Sequence, residues 1–251
     1  MLVEQTMEKL VSMKLNGMAE ALRRWMEQTK EKAMTPLDLA GLLVDAEWRD
    51  REQRKLTGRL RTARFRQDAC VEDIDYQHPR GLQKAVMLDL ASCRWVDAHQ
   101  NVCLTGKTGV GKSYLACALG QKACREGYSV VYRRASRLYD ELAQARADGT
   151  YFQVLRRLAK TEVLVIDDFG LEVLTASQRR DFLEVLEDRY ANSSTIITSQ
   201  FDPDHWHPIL GEDTIADSVC DRIVHNAHKV KLGGESLRKS RSTLANPQKP
   251  S

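Results

Sequence analysis

The chain has 251 residues, 42% of them apolar and 29% charged, and 38 Lys and Arg against 35 Asp and Glu leave a formal net charge of +3. This composition excludes a disordered or fibrous chain and leaves room for one substantial domain and a smaller one. So small a net charge cannot by itself argue for a nucleic-acid partner, and the distribution of charge must decide. The six cysteines, Cys70, Cys93, Cys103, Cys117, Cys124 and Cys220, contain no C-x-x-C pair. They read as free, buried thiols rather than a zinc site or a disulfide framework. The opening MLVEQTMEKL has no basic region followed by an apolar one, and no apolar run reaches membrane length, so the expectation is a cytoplasmic protein with no membrane partner.

From residue 1 to about residue 66 the pattern is helical throughout. Met7, Leu10, Val11, Leu15, Met18 and Leu22 recur at the spacing of one helix face, with Gly17 a weak point inside it. Thr35-Pro36-Leu37-Asp38 reads as the start of the next helix, Thr35 as its N-cap and Pro36 in its first position. Leu39, Leu42, Leu43, Ala46 and Trp48 fall on its apolar side. It then turns basic: Arg49, Arg51, Arg54, Lys55, Arg59, Arg61, Arg64 and Arg66 stand against only Asp50 and Glu52. Two readings stay open, a solvated helix face and a footprint for the phosphate backbone of DNA. Arginine suits phosphate contact and also pairing with an acidic partner. Aromatic residues are too sparse for a base-stacking platform. Residues 1–66 are therefore expected to form a helical DNA- or partner-binding domain, 67–81 a linker, 82–241 a second domain and 242–251 a disordered tail.

The second domain opens with a helix expected over Leu82–Ala98 and an apolar strand, Asn101–Thr105. Gly106-Lys107-Thr108-Gly109-Val110-Gly111-Lys112-Ser113 follows and fits G-x-x-x-x-G-K-[S/T]. Its glycines let backbone N–H groups point inward at phosphate, Lys112 would reach the β- and γ-phosphates, and the Ser113 hydroxyl would ligate Mg²⁺. The helix beginning near Ser113 adds the positive end of its dipole and should close at Gly127. A strand over Tyr128–Tyr132 and a helix over Ser136–Ala147, ended by Asp148-Gly149, come next. Strands alternating with helices imply a parallel α/β sheet flanked by helices.

Val163-Leu164-Val165-Ile166-Asp167-Asp168 has the form of a buried strand ending in two acids. Asp167 would hold Mg²⁺ and Asp168 would orient and deprotonate the attacking water. Ser194–Gln200 reads as a further strand whose end would bring Thr198, Ser199 or Gln200 near the γ-phosphate. His205, Trp206 and His207 lie together without a matching acid or cysteine pattern, and read as a packed loop rather than a metal site.

The P-loop, the IDD strand, Thr195–Gln200, Phe201–Trp206, Ile215–Ala227, Gly234–Arg238 and the early Leu15–Leu22 come in an order that resembles IstB. IstB is the helper ATPase of insertion-sequence transposition, close to the DnaC helicase loaders among AAA+ ATPases. The likeness runs from about Met7 to Arg241. It implies an AAA+ core, ATP with Mg²⁺ as the ligand and hydrolysis to ADP and phosphate. It also implies sensor I roles for Thr198 and Ser199, an arginine finger at Arg222 acting on a neighbouring subunit's nucleotide, and a sensor II role for Arg238. The implied partners are duplex DNA, an IstA-like transposase and further copies of the chain; a DnaC-like helicase loader is the alternative. One departure is Asp168, where many AAA+ proteins carry Glu.

Overall fold

The computed structural model describes residues 2–28, 34–211 and 213–237. Two compact units, Met1–Gly58 and Arg59–Ser251, divide within a single long helix. The first unit contains α1 (Leu2–Ser12), α2 (Asn16–Gln28) and the start of α3 (Pro36–Ala63).

The single helix expected over Met7–Leu22 is two. The chain breaks between Ser12 and Asn16, where Lys14 turns to φ +59°. Gly17 is a packing point rather than a weak one: a Cβ there would lie 2.6 Å from Ala46 O and 2.7 Å from Glu47 Cα. The close approach lets Glu47 Oε2 accept from the N–H groups of Gly17, at 2.9 Å, and Met18, at 3.3 Å. Glu47 of α3 thereby satisfies the N-terminal donors of α2, which have no partner within their own helix. Thr35 caps α3 as expected, its Oγ1 accepting from Asp38 N at 3.2 Å while Thr35 N donates to Asp38 Oδ2 at 3.3 Å. Leu39, Leu42, Leu43 and Ala46 are half-buried, but Trp48, expected with them, is 64% exposed.

The second unit receives the end of α3 and continues with α4 (Lys84–Ala91) and α5 (Arg94–Asp97). These two replace the single helix expected over Leu82–Ala98, because Cys93 adopts φ +59° and parts them. There follow β1 (Asn101–Gly106), α6 (Lys112–Glu126), β2 (Val130–Arg134), α7 (Ala135–Ala147), α8 (Tyr151–Lys160) and β3 (Val163–Phe169). The chain ends with α9 (Ala176–Arg189), β4 (Ser194–Ser199), α10 (His207–Leu210), α11 (Asp213–Val224) and β5 (Ala227–Leu232). Helix α8 has no counterpart among the elements expected from sequence, although Tyr151, Leu155 and Leu158 mark its buried face at helical spacing.

The five strands form one parallel sheet in the order β2-β3-β4-β1-β5. Parallel strands covered on both faces read as continuous apolar runs, which is why β1, β3 and β4 are buried almost throughout. One face carries Cys103, Val131, Leu164, Ile166, Phe169 and Ile197 against Leu138, Leu155, Phe182 and Val219 from the helices. Helix α6 packs against the other face, across β1 to β4. Because all strands run the same way, Gly106, Arg134, Asp167, Ser199 and Leu232 arrive at one edge of the sheet, where Arg134 is level with Asp167 and Gly106 with Leu232. Ligand crevices of open α/β sheets lie at this edge, where neighbouring connections part to opposite faces.

Candidate nucleotide-binding site

The P-loop spans the gap from β1 to α6, with Gly106, Gly109 and Gly111 at φ +140°, +88° and +99°. No L side chain holds such a series cheaply, so the glycine spacing is a backbone requirement. Lys112, 6% exposed, donates from Nζ to the carbonyls of Gly106 at 2.7 Å and Lys107 at 3.0 Å. The neighbouring Ser113 Oγ donates to Asp167 Oδ1 at 2.8 Å, joining loop and acidic strand across the sheet edge.

Asp167 is fully buried. A carboxyl group removed from water needs hydrogen-bond partners, and three hydroxyls supply them. Besides Ser113, Thr198 Oγ1 donates to Oδ1 at 2.5 Å and Tyr132 OH to Oδ2 at 2.5 Å. Burial, then the bond to Asp167, pushes the Tyr132 phenol far above its ordinary range, so it serves as a donor. A serine hydroxyl beside a carboxylate is a hard oxygen set, and it fits Mg²⁺ that takes its remaining ligands from phosphate and water. Among the described residues no cluster of three His, Cys, Asp or Glu could hold a metal ion unaided.

Successive strand residues point to opposite faces, so Asp167 and Asp168 ought to diverge. They do not, because β3 carries a bulge: Ile166 pairs with Ile197, yet Phe169, three residues on, pairs with Ser199, two residues on. The extra residue is Asp168 at φ +61°, anchored by its N–H to Thr198 Oγ1 at 2.9 Å. Asp and Asn are the non-glycine types that tolerate this conformation best. Its carboxylate faces the cavity between two guanidiniums, Arg134 Nη2 at 3.0 Å and Arg66 Nη1 at 3.5 Å from Oδ2. Arg66 Nη1 also lies 3.8 Å from Asp167 Oδ2.

The cavity measures about 540 Å³ and is lined by Arg66, Arg80, Thr108, Gly109, Gly111, Lys112, Ser113, Tyr114, Arg134, Asp168, Gln200 and Leu237, among others. The stretch expected to be a linker forms one wall of it. Arg80, 2% exposed, donates to Val110 O at 3.1 Å and Asp75 O at 2.8 Å, fastening residues 75–80 to the P-loop. The segment after β5 forms another wall, with Gly233 N donating to Arg80 O at 2.8 Å and Leu237 N to Gly109 O at 2.9 Å.

Thr198 and Ser199, expected near the γ-phosphate, are fully buried, Thr198 behind the two aspartates and Ser199 accepting from Phe201 N at 3.1 Å. Gln200 is the residue of that strand end that reaches the cavity. Arg222 lies outside the cavity lining, paired with Glu187 at 3.1 Å and Asp221 at 2.5 Å, its guanidinium 4.7 Å from the Tyr190 ring centre. Its carbonyl accepts from Asn101 Nδ2 at 3.1 Å, at the start of β1 and hence the sheet edge opposite the P-loop. Arg238 lies outside the described residues. Trp206 is fully buried with its ring 4.8 Å from that of Phe169, so the histidines beside it do flank a packed loop.

The basic stretch separates into groups. Arg51 and Arg54 pair with Glu47 and Asp50, and Lys55 with Glu52. Arg49 bonds Asp45 O at 3.2 Å, and Arg61 and Arg64 are exposed. Arg59 donates to Cys124 O at 2.9 Å near the end of α6, and Arg66 enters the cavity. Arg66, Tyr132, Arg134 and Arg80 are thus site residues that motif reading does not assign. Only their convergence at one sheet edge marks them.

The family model for IstB-like ATP binding proteins matches residues 8–245. The insertion-sequence ATP-binding protein y4pL of Sinorhizobium fredii is 48% identical over 240 residues, covering 96% of this chain and 98% of that one. The ATP-binding protein of insertion sequence IS1162 from Pseudomonas fluorescens is 40% identical over 80% of this chain and 87% of its own. Among solved structures, DnaI superposes with a TM-score of 0.55 at 25% identity, over 65% of this chain and 90% of that one. The DnaC helicase loader gives 0.53 at 23% identity, over 65% and 97%. The fold is that of the AAA+ P-loop domains. No helix among the described residues is long and apolar enough to cross a membrane.

Proposed function

The chain belongs to the IstB-like ATP-binding protein family, and from that membership we propose that it is an ATP-hydrolysing helper of insertion-sequence transposition, which assembles on duplex DNA and recruits or regulates a transposase. The observation that carries the reading is the bulge that turns Asp168 into the P-loop cavity beside Asp167. A protein that only binds nucleotide has no use for a second carboxylate held there in a strained backbone conformation. Relatives that match nearly the full length carry insertion-sequence names, whereas the DnaC helicase loader shares the fold alone.

In this reading the P-loop N–H groups and the N-terminal end of α6 hold the phosphates. Lys112 leaves its carbonyl partners for the β- and γ-phosphate oxygens. Ser113 and Asp167 would hold Mg²⁺, which supplies charge neutralisation when bound. Asp168 orients the attacking water and takes its proton. Thr198 acts through Asp167 and Asp168, its hydroxyl donating to the carboxylate of the first and accepting from the N–H of the second, while Gln200 would face the γ-phosphate end. Arg222, remote from the cavity of its own subunit, completes a neighbour's site, so that turnover follows assembly. The exposed cations of Arg49–Arg66, above all Arg49, Arg61 and Arg64, contact DNA phosphates, and binding weakens steeply as salt rises.

The test is a mixture. Lys112→Ala and Arg222→Ala are each expected to be inactive in phosphate release with duplex DNA present. Mixed, they should regain a measurable fraction of wild-type turnover, because some interfaces combine an intact P-loop with an intact finger. Full activity of Arg222→Ala alone, or no recovery on mixing, counts against hydrolysis completed between subunits.

A further inference from the structure

We infer that Arg66, which the basic stretch offers as a DNA contact, is instead a nucleotide-binding residue that reads the γ-phosphate within its own subunit. The inference rests on the ATPase reading and assigns a residue to it.

The local structure delivers this one side chain to the cavity. Helix α3 ends at Ala63, and Arg64 turns the chain at φ +56°. Two anchors hold the chain on either side of this turn. Arg59 bonds Cys124 O, and the Phe65 ring seats on Gly120 of the P-loop helix, where a Cβ would lie 2.7 Å from Cε1. The same ring meets Tyr132 edge-on with centroids 6.5 Å apart, and Tyr132 is the donor to Asp167. Phe65 therefore registers the chain against both halves of the site, and Arg66 comes next, within 3.8 Å of Asp167 and 3.5 Å of Asp168.

Charge decides what Arg66 does there. Of the cations lining the cavity, Arg80 and Lys112 donate to backbone carbonyls. Arg66 and Arg134 face the carboxylates. A triphosphate brings further negative charge to the end of the cavity that already holds Asp167 and Asp168. A guanidinium between them bridges carboxylate and phosphate with its separate N–H donors. The Arg66 side chain is 41% exposed and so has room to swing from Asp168 to a phosphate oxygen. In P-loop proteins the loop cradles the inner phosphates and the acids stand at the γ end, so a nucleotide held here would turn its terminal phosphate toward Asp167 and Asp168.

The test compares nucleotides in the full-length protein. Competition against a fluorescent nucleotide gives the affinities of ADP and of a non-hydrolysable ATP analogue for wild type, Arg66→Ala, Arg66→Lys and Arg61→Ala. A charge-assisted contact to the γ-phosphate predicts that Arg66→Ala loses about ten- to a hundredfold in analogue affinity and less than about threefold for ADP. Arg66→Lys recovers part of the loss, and Arg61→Ala, the same charge change on an exposed neighbour, moves neither. Equal loss for both nucleotides overturns the inference, as does unchanged nucleotide affinity with weakened DNA binding. Arg66→Lys keeps the question open to refutation if the alanine variant does not fold: unchanged discrimination between analogue and ADP would count against the assignment. Failure of the wild type to bind either nucleotide would sink the ATPase reading instead.

Discussion

Gly17→Ala puts two physical effects in direct opposition. On helix propensity alone, alanine near the start of α2 stabilises by at most about 1 kcal/mol. The packing reverses the sign. A Cβ at residue 17 would stand 2.6 Å from Ala46 O, 2.7 Å from Glu47 Cα and 2.8 Å from Asp50 Cβ, two backbone atoms and a short side chain with little freedom to yield. To reach ordinary contact α2 and α3 must separate, and overpacking of this kind costs about 1–3 kcal/mol. Separation also stretches the bonds from Gly17 N and Met18 N to Glu47 Oε2. Weakening a bond to a buried charge adds about 1.5–3 kcal/mol. After subtracting the full propensity gain, the net loss is about 1.5–5 kcal/mol. A unit of this size has roughly 3–9 kcal/mol in total, so much of its stability is removed. Hydrogen exchange over residues 2–28 with a urea titration measures it. A variant more stable than wild type, with unchanged protection in α2, would refute the packing argument.

Two other variants probe buried partners. Tyr132→Phe deletes the donor to Asp167 Oδ2, leaving that oxygen to Arg66 at 3.8 Å, and should cost about 1.5–3 kcal/mol, a fall of about 4–10 °C in Tm; a melting curve superposable on wild type would contradict it. Burial works to raise the Glu47 pKa, but the Arg51 bond and the Met18 and Gly17 N–H groups outweigh it and the net shift is downward. A lowered carboxyl pKa contributes stability above the unfolded value, about 4.5, and loses it as pH falls through the folded one. The helices of the first unit should therefore weaken on acidification in that window, and Glu47→Gln should flatten the dependence; an identical pH profile in urea denaturation would show that Glu47 does not carry it.

The parts of the site that depend on sequence spacing are legible in the sequence. A glycine pattern between strand and helix, and an apolar run ending in acids, report local backbone demands, and both occur where expected. Arg66 is not legible in this way, because a run of cations looks alike in sequence whether it faces solvent or a carboxylate. Tyr132 and Arg134 carry no signal at all; they matter because β2 lies next to β3, an adjacency that the strand order alone reveals. The helices expected over Met7–Leu22 and Leu82–Ala98 break at Lys14 and Cys93, each at positive φ, a conformation that neither residue type announces. A place at the end of a strand directs Thr198 to the cavity, but its hydroxyl has nearer claimants in Asp167 and in the N–H of Asp168.

The bulge in β3 also settles a question of parity. A regular strand would put Phe169 on the same side as Asp167, facing α6. One supernumerary residue advances the count by one, and Phe169 returns to the side of Leu164 and Ile166, where its ring stacks 5.3 Å from that of Phe182. The residue that brings the second carboxylate to the phosphates is thus the one that lets the next side chain rejoin the hydrophobic core. Deleting Asp168 would restore regular alternation and leave Phe169 on the core side, so the phosphate edge alone would lose its second carboxylate.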